Sequence, residues 1–352
     1  MASSSSNTPA SPSDTSERKD AHLALAADPL AMSQVPSGFD AVRLTHCALP
    51  ECSLEEVDIS TSCLGHSVSA PFFIGSMTGG TAHATAINLA LAEVAESAGI
   101  GLAVGSQRAS LEAGQSQRDL RRAAPSIPLF GNLGGLQLAA PGGLDLAARA
   151  VDDLQADALF IHVNPLQEAV QPEGETDWRG VIEAIEAAVT FLNVPVLVKE
   201  VGAGIGANVA RRLFDIGVHA VDIAGLGGTN WTRIEAARRD DAELFAPFLD
   251  WGIPTVDALR DARSACPEGR LIASGGIRHG LDAAKALWLG ATMTSMAGPV
   301  LKAMTGDGTS PPDAVAAIKV IEMWKAQLRL AVFLTGACDL AAFAGVEGRI
   351  SR

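Results

Sequence analysis

The chain has 352 residues, a length that one α/β barrel routinely fills, and its 48% hydrophobic and 19% charged residues supply one large core and exclude disorder in bulk. Its 40 acidic against 26 basic side chains leave a net charge of −14, which disfavours nucleic acid and anionic membrane surfaces as partners. No uninterrupted apolar run is long enough for a bilayer, so a soluble, cytoplasmic protein is expected.

Residues 1–16 hold seven serines and two prolines and lack the basic start and apolar core of a secretory signal, so they are expected to be a disordered tail. Residues 17–69 fit no repeat and are expected to form an arm that covers the barrel's outside or reaches over its mouth. From residue 70 to the end, short apolar runs alternate with longer amphipathic ones, the pattern of β–α units around a parallel sheet. The strands read as Phe72–Ser76, Gly101–Gly105, Pro128–Asn132, Ala158–Val163, Val194–Glu200, Ala220–Ala224, Leu271–Gly275 and Thr292–Gly298. Eight units close an α/β TIM (β/α)8 barrel. Between the strands lie helical patterns such as Thr81–Ala98, where Ile87, Leu91, Val94 and Ala98 share one face, and Val181–Leu192. A helix over Ala314–Leu334 ends the chain. The five cysteines are scattered, with no C-x-x-C pair, and read as reduced thiols. The absence of tyrosine argues further against stacking platforms for single-stranded nucleic acid.

Strands buried on both faces should be continuously apolar, and these are, except at their C-terminal ends. Ser76, Ser106, Asn132, His162, Lys199, Gly275 and Gly298 fall at or just past strand ends, where barrel enzymes build their active sites. The fourth unit is the densest. His162 and Asn164 point to one side of a strand, Pro165 ends ladder pairing, and Gln167 and Glu168 follow in a loop over the mouth. One carboxylate suits Mg²⁺ shared with phosphate oxygens and water, so Glu168 hints at a phosphorylated substrate; a histidine and two amides capping a loop are the plainer alternative. Lys199 places a charge where a barrel normally has none. It needs an anionic cofactor, a Schiff-base role or an ion pair with Glu200, although adjacent strand residues point to opposite faces. Glycines in 225–228, at 275 and 276, and at 298 suit phosphate binding after the last strands, or only tight turns. Arg18, Lys19 and His22 form a basic cluster that is either a solvated face or a clamp on a diphosphate.

Many motifs now stand in one order: R-K-x-x-H (18–22), S-M-T-G-G (76–80), S-Q-R (106–108), G-N-L-G (131–134), H-V-N-P-L-Q-E (162–168), V-K-E-V-G (198–202), G-G-T-N-W (227–231) and S-G-G-I-R (274–278). From about Arg18 to Gly336 the chain resembles the type 2 isopentenyl diphosphate isomerases, FMN-dependent barrel enzymes. The resemblance implies an FMN ring near Ser76, Met77, Thr78, Ser106, Asn132, Lys199 and Thr229. It places the FMN phosphate on Gly275, Gly276 and Arg278 with Ala297 and Gly298. It assigns the substrate diphosphate to Arg18, Lys19, His22, Arg108, His162 and Asn164, puts Gln167 beside the reacting carbons with His162 as a second catalytic group, and gives Glu168 to Mg²⁺. The implied reaction is a 1,3-allylic proton shift between isopentenyl and dimethylallyl diphosphate, with reduced flavin as acid and base and NADPH or another reductant priming it. A homo-oligomer, tetrameric or larger, is implied as well.

One position departs from that pattern. Ala224 stands where the family usually has a serine touching the FMN phosphate, which implies weaker flavin retention, by about 1.5–3 kcal/mol if the hydrogen bond is unreplaced. A flavin dissociation constant unchanged by Ala224→Ser would count against this. Asn230 in place of a more usual serine is read as harmless. Two other readings compete: a 2-hydroxy acid oxidase or dehydrogenase on the same cofactor, and a barrel that only binds flavin.

Overall fold

The computed structural model describes residues 31–77, 82–306 and 312–351. Arg18, Lys19, His22 and Thr78 lie outside these residues. Chain order begins with β1 (Val42–Leu44) and the hairpin β2 (Thr61–Cys63) and β3 (His66–Val68). Eight parallel strands follow: β4 (Phe72–Ile74), β5 (Gly101–Ala103), β6 (Leu129–Gly134), β7 (Ala158–His162), β8 (Val196–Lys199), β9 (Ala220–Asp222), β10 (Leu271–Ala273) and β11 (Ala291–Met296). They close into a barrel in chain order, β11 pairing with β4. All eight strands read from the apolar runs are present, each shorter or shifted by a few residues. Helices Ala82–Ala98, Val181–Phe191 and Ala314–Leu334 occupy the places their periodicity marks.

The period of two along each strand builds two separate cores. Phe72, Ile74, Leu159, Ile161, Val196 and Val198 point outward and pack under the helices. Phe73, Ala103, Phe130, Ala158, Phe160, Leu197, Ala220, Ile272 and Met293 fill the barrel axis. The three interior phenylalanines meet with ring centroids 5.2, 5.4 and 6.0 Å apart. Gly101 opposite them has no room for a side chain, since a Cβ there would lie 3.0 Å from that of Phe73 and 3.1 Å from the Phe130 ring.

The chain before β4 does more than cover the outside. Cys63 and Leu64 at the β2–β3 turn pack on the interior phenylalanine cluster and stopper the barrel's N-terminal end. His66 anchors that hairpin through Ser126 O (2.9 Å) and Asp157 Oδ1 (3.0 Å), whose carboxylate also meets Arg121. At the opposite end residues 31–37 run across the mouth: Met32 bridges Thr229, Ser33 N–H donates to Gly228 O, and Ser37 Oγ donates to Gly276 O. The helix Ala314–Leu334 does not end the chain. A short helix Leu340–Phe343 and β12 (Gly348–Ile350) follow it, and β12 pairs antiparallel with β1, joining the two terminal segments on the barrel's flank. A pairing between stretches so distant in sequence leaves no local pattern to read.

Candidate active site

The interior period of two continues past the hydrophobic layers, so the next inward positions form a polar ring at the C-terminal mouth. On β6 this is Asn132, on β7 His162, on β8 Lys199 and on β9 Asp222. Register places His162 beside Lys199 and Lys199 beside Asp222. Ser274, one residue past β10, extends the ring by donating to Asp222 Oδ1 (2.6 Å).

Asn132 orders one side of the ring. Its Nδ2 donates to Ser76 Oγ (2.9 Å), which leaves its Oδ1 to accept from His162 Nδ1 (2.8 Å). That chain selects the Nδ1–H tautomer and turns His162 Nε2 toward the mouth as an acceptor. Burial, helped by the Lys199 charge, lowers the His162 pKa to about 3. Gln107, fully buried, holds the backbone beneath: its Oε1 accepts from Asn132 N–H (3.0 Å) and its own N–H donates to Asn132 O (2.9 Å).

A half-buried histidine held neutral makes stability acid-sensitive. Between about pH 6.5 and pH 3 the unfolded chain binds a proton that folded His162 refuses, so stability falls as pH falls through that window. Denaturant melts of His162→Gln and the original chain at pH 6.5 and 4.5 should therefore shift by about 2 kcal/mol in the variant's favour at the lower pH. An unchanged difference would show that His162 protonates freely in the fold.

Lys199 is half-buried and donates from Nζ to the backbone carbonyl of Glu200 (2.6 Å). The Glu200 carboxylate points elsewhere. Its Oε2 accepts from the N–H groups of Val201, Gly202, Ala203 and Gly204 at 2.5–3.1 Å, and so shapes the loop after β8 instead of pairing with the lysine. Among the described residues Lys199 makes no ion pair. Burial lowers its pKa and raises that of Asp222, and each charge resists the shift of the other.

Asn164 caps the helix Pro165–Val170, with Pro165 in its first turn. Gln167 and Glu168 thus sit on a helix, not on the loop expected after Pro165: a proline that ends strand pairing is also preorganised to start a helix. Asn164 Nδ2 donates to Gln167 Oε1 and Glu168 Oε1, both at 3.1 Å, and Glu175 N–H donates to Glu168 Oε2 (2.9 Å). Gln167 Nε2 donates to Glu235 Oε1 (3.1 Å). Glu235 lies on the helix Trp231–Ala236, which begins at the Asn230 cap after the glycine loop, and its other carboxylate oxygen meets Arg238.

The glycine loops after β9 and β10 stack on one another. Gly275 and Gly276 adopt φ of 90° and 70°, and a Cβ on Gly275 would lie 2.0 Å from Gly225 O. Backbone alone fits there. Ala224, at the end of β9, takes φ of 41°, in the left-handed region. Ala297 caps the helix Gly298–Thr305, and Gly298 opens onto free space. Two arginines are in ion pairs: Arg278 is held by Asp40 (2.7 Å) and Asp282 (2.7 Å), and Arg108 by Glu112 (2.9 Å). Ser106 and Met77 are half-buried beside the ends of β5 and β4. Reading the sequence missed Asp222, Glu235 and Gln107, and offered Glu200 only as an ion-pair partner for Lys199. Asp222 carries the signal that marked its neighbours, a charge ending an apolar strand; the others carry none.

This chain is 50% identical over 331 residues to an isopentenyl-diphosphate delta-isomerase of Stutzerimonas stutzeri, covering 92% of this chain and 94% of that one. The chain belongs to the isopentenyl-diphosphate delta-isomerase family. A Synechocystis isopentenyl-diphosphate delta-isomerase is 43% identical over 333 residues, 93% of each chain. The broader family described as FMN-dependent dehydrogenase matches residues 23–125 and 147–345. Among solved structures, a mandelate oxidase with (S)-2-phenylpropionate superposes with a TM-score of 0.67 over 98% of this chain and 99% of that one at 18% identity, a likeness of fold. Among the described residues no helix is long and apolar enough to cross a membrane.

Proposed function

We propose that the protein interconverts isopentenyl and dimethylallyl diphosphate by a 1,3-allylic proton shift, with FMN and Mg²⁺ bound at the mouth. The observation that carries this reading is Gln167, suspended between Asn164 and Glu235, with the Glu168 carboxylate beside it and the unpaired Lys199 ammonium on the facing ring.

The residues present fit the flavin. Gly275 and Gly276, where no side chain fits, and the start of the helix at Gly298 offer backbone N–H groups to a phosphate. Lys199 offers a half-buried cation to an anionic ring, and Ser76, Met77, Ser106, Asn132 and Thr229 would line it. Reduced FMN, when bound, would supply an electron-rich face and an acid–base atom for an alkene too weakly basic for ordinary carboxylates. Arg278, bound to Asp40 and Asp282, would support the phosphate loop from behind instead of touching the anion. Glu168 brings one carboxylate, and among the described residues no group of three or more His, Cys, Asp or Glu could hold a metal. A single carboxylate suits Mg²⁺ that completes its shell with diphosphate oxygens and water.

The chain's own residues orient and exclude. Asn164 and His162 would hold the diphosphate with Arg108 and the basic cluster Arg18, Lys19 and His22. Gln167, fixed at both ends of its amide, would hold a proton-bearing atom or a water at the reacting carbons, and Glu235 prevents that amide from turning. A hydroxy-acid dehydrogenase would instead need a histidine base that titrates in its working range. Burial and the Lys199 charge push the His162 pKa down, which runs against that role.

The test is anaerobic. The purified flavoprotein, reduced with dithionite or NADPH, is mixed with isopentenyl diphosphate and Mg²⁺, and dimethylallyl diphosphate is assayed. Product that forms only with reduced flavin supports the reading; no product from a folded, flavin-loaded protein would overturn it. Removing residues 1–22 should raise the KM for the diphosphate about tenfold or more, since a desolvated charge-assisted contact is worth roughly 1.5–3 kcal/mol, while circular dichroism stays unchanged. An unchanged KM would make the segment a solvated tail.

A further inference from the structure

Three of the five cysteines gather at one turn far from the mouth. Gly336, with φ of 79°, turns the chain after the helix Ala314–Leu334, and a Cβ there would lie 2.9 Å from Cys47 Sγ. The Cys52 thiol donates to Ala337 O (3.7 Å), the residue before Cys338, which brings the Cys338 side chain beside it. The backbone locks this juxtaposition: Asp58 N–H donates to Cys338 O (2.9 Å), and Cys47 N–H donates to Leu334 O (2.8 Å). Cys338 is exposed, whereas Cys52 and Cys47 are half-buried. Among the described residues no group here could hold a metal ion, so metal binding does not account for the cluster.

We propose that Cys52 and Cys338 form a dithiol that hydroperoxides oxidise to an intramolecular disulfide, tying the segment before the barrel to the segment after it. The exposed Cys338 thiolate attacks a peroxide oxygen, the O–O bond breaks, and hydroxide leaves, giving a sulfenic acid. The Cys52 sulfur then attacks the sulfenic sulfur; the S–S bond forms, the S–O bond breaks, and the released proton converts hydroxide to water. Two thiols lose two protons and two electrons, and hydrogen peroxide becomes two waters. Proximity to Cys338, together with burial, raises the pKa of Cys52, so Cys52 resolves the sulfenic acid and does not initiate. A disulfide between these positions encloses nearly the whole barrel, the arrangement in which a cross-link restrains the unfolded chain most. The proposal is independent of the reaction at the mouth, and neither cysteine belongs to that machinery.

The full chain, reduced and freed of thiol, is treated with hydrogen peroxide at a small molar excess. The expected results are a mass loss of two hydrogens, a linked peptide pair containing Cys52 and Cys338, and a Tm raised by about 5 °C or more that dithiothreitol reverses. Cys52→Ser and Cys338→Ser should each abolish the linked pair and the Tm shift, and Cys47→Ser should keep both. Sulfinic acid on Cys338 without cross-linking, a pair through Cys47, or a dimer linked through Cys338 would each overturn the proposal.

Discussion

Lys199→Met should fold and bury its side chain, and turn over at least about a hundredfold more slowly, the loss expected when one preorganised charge is removed from a water-poor site. The physical case rests on what Lys199 lacks. Its ammonium has one protein acceptor, the Glu200 carbonyl, and no ion pair among the described residues, so the fold bears the cost of desolvating a cation that a bound anion would offset. Methionine keeps the length and removes that cost, but it leaves Asp222 without the charge that favours its ionised form. The sign follows from linkage. Burial already raises the Asp222 pKa, and without Lys199 it rises further, so the folded variant binds more protons than the unfolded chain. Stability is then lost as pH rises from the ordinary carboxylate value through the raised folded value. Melts should show the stability deficit of Lys199→Met growing from pH 5 to pH 8. Turnover within tenfold of the original, or a deficit equal at both pH values, would sink the assignment.

Glu168→Gln should leave flavin content and the circular dichroism spectrum unchanged while turnover falls about a hundredfold and the Mg²⁺ concentration for half-maximal activity rises at least tenfold. The substitution is nearly isosteric, and the remaining amide oxygen can accept from Asn164 or from Glu175 N–H, though not from both. Glu168 lies on the helix Pro165–Val170, on a different unit from the glycine loops that would hold the phosphate, so the two effects separate. Normal Mg²⁺ dependence would mean that the metal is held by substrate alone. Loss of flavin would mean that Glu168 serves the fold of the site and not the metal.

The barrel was legible because its signal is local. Eight apolar runs, each ending in a polar or glycine residue and followed by a helix-period segment, are written within stretches of a few dozen residues. That pattern also marked the mouth, and so named Asn132, His162 and Lys199. Glu235 was invisible for the opposite reason: it meets Gln167 through the packing of two helices on separate units, and nothing near it in the chain sets it apart from a surface glutamate. The partners of Arg278 were invisible for the same reason: its guanidinium meets Asp40, far away in the chain, and Asp282.

What the sequence by itself determined is the (β/α)8 fold, the polar ends of its strands, and, through motifs in order, the family. Strand periodicity and strand-end composition depend only on near neighbours. What the tertiary structure alone decided is the pairing of those side chains. Strand register set His162, Lys199 and Asp222 side by side, the loop after β8 drew the Glu200 carboxylate away from Lys199, and the closure of β1 on β12 brought two ends of the chain together on one flank. Each of these depends on contacts between residues remote in sequence, whose partners are chosen by the closing of the barrel and not by the residues around them.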